Sequence, residues 1–284
     1  MRSRISAATC LAVMPILMAG CGLNVPQKEL FYANAVDAQG RSRSGKFESN
    51  VIANIRCEIT KGIYDAVNTG HIPWIAGYGT TVSLNLIWEE SSNLSPGLTY
   101  SDPIGASKLF TLGAGLSSSE KATRNEAITF TLENAVLLED ALATRKARGS
   151  LDCSVLAPGA RVESDLKIDE FIYDKATIAG GGVATTKTID YPQFSVFQET
   201  LTFVATRTGN VTPTWKLTKF TANPSGPFLG ASRVRTSTII VTLGPLAKAA
   251  SRAGPAELTL QARVQHDAAL IAGATAASIS SQAR

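Results

Sequence analysis

Three kinds of residue in this 284-residue chain have chemistry to offer beyond packing: clustered carboxylates, two histidines and four cysteines. The carboxylates fall as Glu89-Glu90, Glu139-Asp140, and the group Glu163, Asp165, Asp169 and Glu170. Two carboxyl groups held about 5 to 10 Å apart can divide acid and base work at a glycosidic bond. Acidic side chains are almost never buried unless paired, so a solvated surface is the favoured reading. Asp165 and Asp169 also stand near an expected helix start, where the positive end of the dipole favours them. His71 and His266 lie far apart, each without a second His or a Cys at metal-ligand spacing, which speaks against a zinc site of the usual kinds. There is no Gly-x-Ser-x-Gly elbow, and Gly180-Gly181-Gly182 lacks the Gly-Lys-Ser/Thr that completes a phosphate loop. The sequence therefore assigns no catalytic residue, no metal ligand and no cofactor.

The N-terminus carries the most specific pattern. Arg2 and Arg4 supply positive charge, and Ala7 through Ala19 form an apolar run broken only by small or weakly polar residues. That is the layout of a secretory signal. The run is short for a bilayer, whose ~30 Å hydrocarbon core needs ~20 predominantly apolar residues. It ends in Leu17-Met18-Ala19-Gly20-Cys21, which resembles the lipobox of bacterial lipoproteins, two small residues before an obligatory cysteine. The resemblance covers residues 1–21 only. It implies cleavage after Gly20, a diacylglyceryl group on the Cys21 sulfur and an acylated new amine, hence a protein bound to the membrane through lipid on Cys21. Met18 is a less usual occupant of its position than Leu. Residue 22 is Gly and not the Asp that marks inner-membrane retention, so in a double-membraned host the resemblance favours the outer membrane, facing the periplasm. Two or three acyl chains matter, because one chain alone gives only marginal, reversible binding.

Without residues 1–20 the chain has 264 residues and loses Arg2 and Arg4, leaving 25 basic against 23 acidic side chains. A net charge of +2 gives no electrostatic case for a nucleic-acid partner. With Cys10 in the signal and Cys21 acylated, Cys57 and Cys153 remain, in a compartment where disulfides persist. Paired, they close a loop of about 95 residues; free thiols are the alternative, since sequence supplies no geometry.

The elements follow from periodicity. Residues 21–46 read as the lipidated cysteine and a tether, rich in Gly, Asn, Gln and Ser. Val51, Ile52, Ile55, Ile59, Ile63 and Val67 recur at helical spacing and predict a helix over about 48–68, with Cys57 on its other side. From Thr80 the period becomes two: Val82, Leu84, Leu86 and Trp88 alternate with Ser83, Asn85, Ile87 and Glu89, a half-buried strand. Further strands are expected at 98–100, 109–112 and 128–132, with Asn93 to Gly97 as a turn. The second half repeats the plan: a short helix over 164–176, a glycine break at 180–182, a long strand over 194–206, a turn at Asn210 to Pro213, and extended segments at 215–218, 228–231 and 239–243. Residues 255–280 suit a helix whose apolar members are Leu258, Leu260, Val264, Leu270 and Ile271.

The expected fold is thus α+β and β-rich, with two antiparallel β units, an N-terminal helix, a short middle helix and a C-terminal helix. Matching landmarks in the two halves suggest an internal duplication, whose sheets would face each other as a sandwich. The divisions fall at 1–20, 21–46, 47–150 with the first β unit, 151–245 with the second, and 246–284. A barrel built from this chain alone is disfavoured: its seven or eight candidate strands are unequal, interrupted by helices and without paired aromatic girdles.

Trp74, Trp88 and Trp215 are the candidate binding residues, since interfaces enrich Trp; a Trp in an alternating strand is more often core. Three functions fit. The favoured one is a non-enzymatic, lipid-anchored module that binds or scaffolds another envelope component. The second is an accessory subunit of an outer-membrane secretion or transport complex, docking through the C-terminal helix or exposed strand edges. The third is an envelope hydrolase with a carboxylate pair, which requires a cleft holding perturbed carboxyl groups.

Overall fold

A computed structural model describes residues 25–26, 43–105, 108–153, 165–182, 194–216, 219–223, 228–247 and 256–282. The signal segment, Cys21, Glu163 and most of the 21–46 tether lie outside these residues. The protein is α+β and β-rich, with two antiparallel sheets. The chain forms two compact units, one of residues 1–27, 87–125 and 204–235, the other of 28–86, 126–203 and 236–284. Both halves of the sequence contribute to both units, so the boundaries at 150 and 245 do not separate compact bodies.

The larger unit begins with α1 (Arg43–Asn68). Val51, Ile55, Ile59 and Ile63 are all buried, as their spacing requires. The helix starts five residues before the expected position. A 3-10 turn (Pro73–Gly77) leads into β1 (Tyr78–Leu94). At the end of β4 (Ser118–Glu133), where only a strand was expected, the chain turns into α2 (Asn134–Arg148). Asn134 fixes that junction: its side-chain oxygen accepts from Thr80 Oγ1 at 2.7 Å, and its Nδ2 donates to the Ile75 carbonyl at 3.0 Å. Arg145, Lys146 and Arg148 occupy the last turn, where the dipole favours cations, and Gly149 ends the helix with φ at 79°. Arg145 also lies over the Tyr64 ring of α1, 5.0 Å from its centroid.

The middle helix, α3, spans Ile168–Gly180. It begins four residues after the expected start and runs to the first residue of the glycine triplet; Gly182, at φ 72°, sits in the left-handed region just beyond. α3 packs closely on α1 at Gly62, where an added Cβ would lie 2.9 Å from the Asp169 Cα and 3.0 Å from the Ile172 Cβ. Both are poorly displaceable, one backbone and one buried. Gly62→Val is therefore expected to destabilise the protein by about 1–3 kcal/mol through overpacking, and a thermal melt of the variant checks it.

The strands do not sort by half of the chain. One sheet has the order β4-β1-β8-β5, with β5 at Phe197–Val211 and β8 at Leu229–Pro245. The other has the order β3-β2-β7-β6, from β2 (Gly97–Gly105), β3 (Lys108–Gly115), β6 (Trp215–Lys216) and β7 (Phe220–Ala222). One sheet per half was expected; instead each sheet takes two strands from each half, and second-half strands follow first-half strands two places along. Inner strands β1 and β8 thereby gain a partner on both sides. Their segments 78–84 and 237–244 are buried at every residue, which only a sheet covered on both faces can do.

One of those faces is hydroxyl-rich. Thr81 meets Thr131 at 2.8 Å and Ser83 meets Thr129 at 2.6 Å, and on this face lies the C-terminal helix α4 (Leu260–Gln282). Its buried stripe is not the one expected. Leu260, Val264 and Ile271 face solvent and Leu270 is half-buried, whereas Ala262 and His266, one turn apart, are buried. Only small residues allow this approach: a Cβ on Gly244 would stand 2.7 Å from the Ala262 Cβ. Leu258 is buried ahead of the helix, bridging to Leu246.

Candidate functional site

Each carboxylate cluster that suggested catalysis is tied to a cation. Glu89 pairs with Lys121 at 3.2 Å, Glu90 with Arg233 at 2.6 Å and Asp140 with Arg56 at 2.8 Å. Asp169 meets Lys61, and Lys167 bridges Asp165 and Glu170. Asp169 and Glu170 do occupy the first turn of α3. The residue that satisfies that helix start, however, is Glu58 of α1. It accepts from the Leu166 and Ile168 amides at 2.9 and 3.1 Å and from Asn54 Nδ2 at 3.1 Å. Burial pushes its carboxyl above the ordinary value, and the two backbone amides oppose that rise. Its trace in the sequence is an acidic residue inside the Val51, Ile55, Ile59, Ile63 stripe.

Glu199 of β5 is the second carboxyl that the clusters missed. Burial pushes it up to about 7, with Lys175 opposing and the Glu58 charge adding to the rise. Its Oε2 is buried without a hydrogen-bond partner. The signal is positional: Glu199 stands two residues from buried Phe197 and shares its inward face.

Two open hollows flank the Cys57–Cys153 disulfide, whose Cα atoms are 5.7 Å apart. One, of about 710 Å³, runs along α1 and α2 and is lined by Arg56, Thr60, Asp140, Thr144, Arg148 and Asp152. The other, of about 330 Å³, holds Glu58, Lys61, Asp165, Lys167, Asp169 and Glu170. Charges of the two signs balance in the first, whereas in the second Glu58, Asp152, Asp165, Asp169 and Glu170 outnumber Lys61 and Lys167; Glu199 lines neither. The Ser83 and His266 side chains meet at 2.8 Å, a nucleophile-base distance, but both residues are sealed in the core and His266 is held on its other side by Thr242. Among the described residues no group of three His, Cys, Asp or Glu is placed to hold a metal.

The three tryptophans are not brought together as a binding site. Trp88 is 1 % exposed and belongs to the core, so it has no surface for a ligand. Trp74 is half-buried and tilts against Tyr78 with centroids 5.0 Å apart. The side chain of Trp215 lies outside the described residues.

The surface that stands out belongs to the smaller unit, on its sheet β3-β2-β7-β6. Register separates its two faces. Leu98 opposes Ala114 and Ala222, Tyr100 opposes Leu112 and Phe220, and Asp102 opposes Phe110. The Tyr100 ring packs against Phe220 at 4.8 Å and Phe110 at 6.4 Å. The opposite face presents Thr99, Ser101, Thr111, Gly113 and Thr221, with Leu109 near the turn. Every side chain of β3 from Leu109 to Gly115 is exposed, Phe110 by 46 % and Leu112 by 59 %. Soluble monomers rarely leave a contiguous apolar patch of several hundred Å² uncovered. At the turn end, Asp102 accepts from Tyr100 Oη at 2.9 Å and pairs with Lys219 at 2.8 Å, giving the apolar face a charged border. Alternation in Leu98-Thr99-Tyr100 and in Phe110-Thr111-Leu112 was visible in the sequence; the exposure of Leu98, Phe110 and Leu112 was not.

Neither a scan of protein-family models nor a search of characterised proteins gives a match to this chain.

Proposed function

We propose that this chain is a lipid-anchored envelope protein, held to the outer membrane by acyl groups on Cys21 and working as a non-enzymatic binding or scaffolding module. The exposed apolar face of the small sheet carries the reading. It belongs to the same compact unit as Val25 and Pro26, where Arg124 Nη1 donates to the Pro26 carbonyl at 3.4 Å. Four residues separate Val25 from Cys21, at most about 14 Å of extended chain. The acyl chains and the unit with the apolar face are thus kept near each other.

No helix among the described residues is long and apolar enough to cross a membrane, so membrane retention by this route depends on Cys21. In a Gram-negative host the wild-type chain is expected to start at residue 21, carry two or three acyl chains by intact mass and partition into detergent, while Cys21→Ser is not acylated. An unacylated wild type removes the reading. A second reading, as a subunit of an outer-membrane secretion or transport complex, is favoured by the edges of the same sheet: among the described residues β3 and β6 each have one neighbouring strand.

A further inference from the structure

A sheet edge is a row of N–H and C=O groups ready to pair with another strand, and proteins blunt such edges with charge, proline, bulges or shortness. Of the four edges that the two sheets present among the described residues, three are blunted. β4 carries Glu120, Lys121, Arg124 and Glu126, β5 carries Glu199 and Arg207, and β6 is two residues long. β3 has none of these devices. It is eight residues long, without proline, and Leu109 to Gly115 carry no charge. Every side chain over that stretch is exposed, its register with β2 runs without a bulge, and among the described residues β2 is its one neighbour.

The ladder fixes which backbone groups of β3 face outward. In antiparallel pairing, successive residues alternate between exchanging both bonds with a neighbour and turning both groups away from it. The Leu116 amide donates to the Pro96 carbonyl at 3.0 Å, and on the far side of β2 the Ser101 amide donates to the Lys219 carbonyl at 2.8 Å. Even-numbered residues of β2 and β3 therefore bond to each other. Phe110, Leu112 and Ala114 direct their backbone groups at β2, whereas Leu109, Thr111 and Gly113 turn theirs to the open edge.

From this edge we infer that the chain forms a two-fold dimer, in which β3 pairs antiparallel with β3 of a second copy about an axis at Thr111.

The strand is complementary to itself in that register. Leu109, Thr111 and Gly113 meet Gly113, Thr111 and Leu109 of the second copy, so outward groups face outward groups along the seam. Phe110 and Leu112 then oppose each other in the non-hydrogen-bonded pairs, where Cα atoms approach to ~4.5 Å and side chains pack closest. Both are exposed in the single chain, by 46 % and 59 %. Gly113 fits the same arrangement. Nothing in its own chain lies within 4 Å of a Cβ added there, so crowding inside the chain does not require the glycine. In the seam it leaves room for Leu109 of the second copy, and strand glycines often mark the close approach of another backbone. Since one strand serves both copies, the contact closes at two. A seam of one strand buries less than the ~1,200 Å² of a standard interface, so the dimer is reversible, with a Kd on the order of micromolar.

The seam is drawn from β3 and does not rest on the lipid anchor. The full chain is purified in detergent, its copy number followed by sedimentation from below to well above the micromolar range, and its intact mass read in parallel. Wild type is expected to pass from monomer to dimer. Thr111→Pro removes an outward N–H on each copy and no bond to β2, and is expected to raise the Kd at least about tenfold with an unchanged far-UV spectrum. Thr111→Val, which keeps the N–H, is expected to keep the dimer. A second measurement leaves the backbone alone. Mixed Phe110→Cys and Leu112→Cys chains are expected to form an interchain disulfide under mild oxidation several-fold faster than either variant by itself. A chain that stays monomeric at ~100 times that Kd overturns the inference, as does a dimer indifferent to Thr111→Pro, or equal cross-linking in mixed and single samples. A dimer whose mass shows no acyl groups would sink the lipoprotein reading and leave the seam standing; an acylated monomer would do the reverse.

Discussion

Reducing the Cys57–Cys153 bond is expected to lower the unfolding free energy of the chain by about 3–4.7 kcal/mol, the loss that loop-closure entropy predicts for a loop near 100 residues, less any native strain. The separation of the cysteines is 96 residues. The bond joins α1 to the segment just beyond α2, so the loop it closes contains β1, β2, β3, β4 and α2. The ion pair between the two helices adds little by comparison. The Arg56–Asp140 pair is about half exposed at both ends and is worth ~0–1 kcal/mol. Urea titration with and without reductant, repeated on Cys57→Ser/Cys153→Ser, measures the effect as a shift in midpoint. The reduced wild type and the double variant should coincide. An unchanged midpoint would show that the helices hold their positions without the covalent bond.

His266→Ala is expected to cost about 3–5 kcal/mol, since it opens a cavity under α4 and strips partners from two buried hydroxyls. His266 is 3 % exposed, with Nε2 at 2.8 Å from Ser83 Oγ and Nδ1 at 2.8 Å from Thr242 Oγ1. One ring nitrogen donates and the other accepts in the neutral form. Burial holds its pKa below the ordinary 6.5, with Asp267 pulling the other way. The unfolded chain therefore takes up the proton at higher pH than the folded one, and acid favours unfolding. The stabilisation is fully present above pH 6.5 and is lost as pH falls from there through the lower folded value. Glu199 acts in the opposite sense. Its pKa rises from 4.5 to about 7 on folding, so its contribution is present below 4.5 and declines as pH rises toward 7. Stability profiles of His266→Ala and Glu199→Gln separate the two slopes: the first variant loses the acid-side decline, the second the decline toward neutrality. A His266→Ala profile parallel to wild type between pH 5 and 7 would exclude the buried imidazole as the source.

What the sequence conveyed and what it concealed divide along physical lines. α1 was readable because four large aliphatic residues at helical spacing have no other use. β1 was readable because alternation over Val82 to Trp88 is long. α2 was missed because its buried positions, Asn134, Leu137 and Ala141, include one polar and one small residue, while Val136 and Leu142 point outward and blur the period. The face of α4 was misread for a related reason. Hydrophobicity selected Leu260, Val264 and Ile271, whereas closeness to a hydroxyl-covered sheet selected Ala262 and a histidine able to bond it. Sheet composition was concealed because pairing β1 with β8 is a long-range choice that leaves no local mark. Of the proposed interaction surface, alternation was visible and its exposure was not, since exposure depends on what fails to pack against it.

The strand order also sets a timetable. β1 is complete by residue 94, but its inner neighbour β8 begins only at residue 229. A chain that emerges N-terminus first therefore holds Val82, Leu84 and Leu86 on a strand with one side unpaired until most of the polypeptide has appeared. Contacts of such sequence separation form slowly, and apolar strands waiting for them are prone to aggregate. The disulfide cannot shorten that wait, because both of its cysteines precede β8. The β1–β4 segment is thus the part of the chain most exposed to misassociation until the last fifth of the polypeptide arrives.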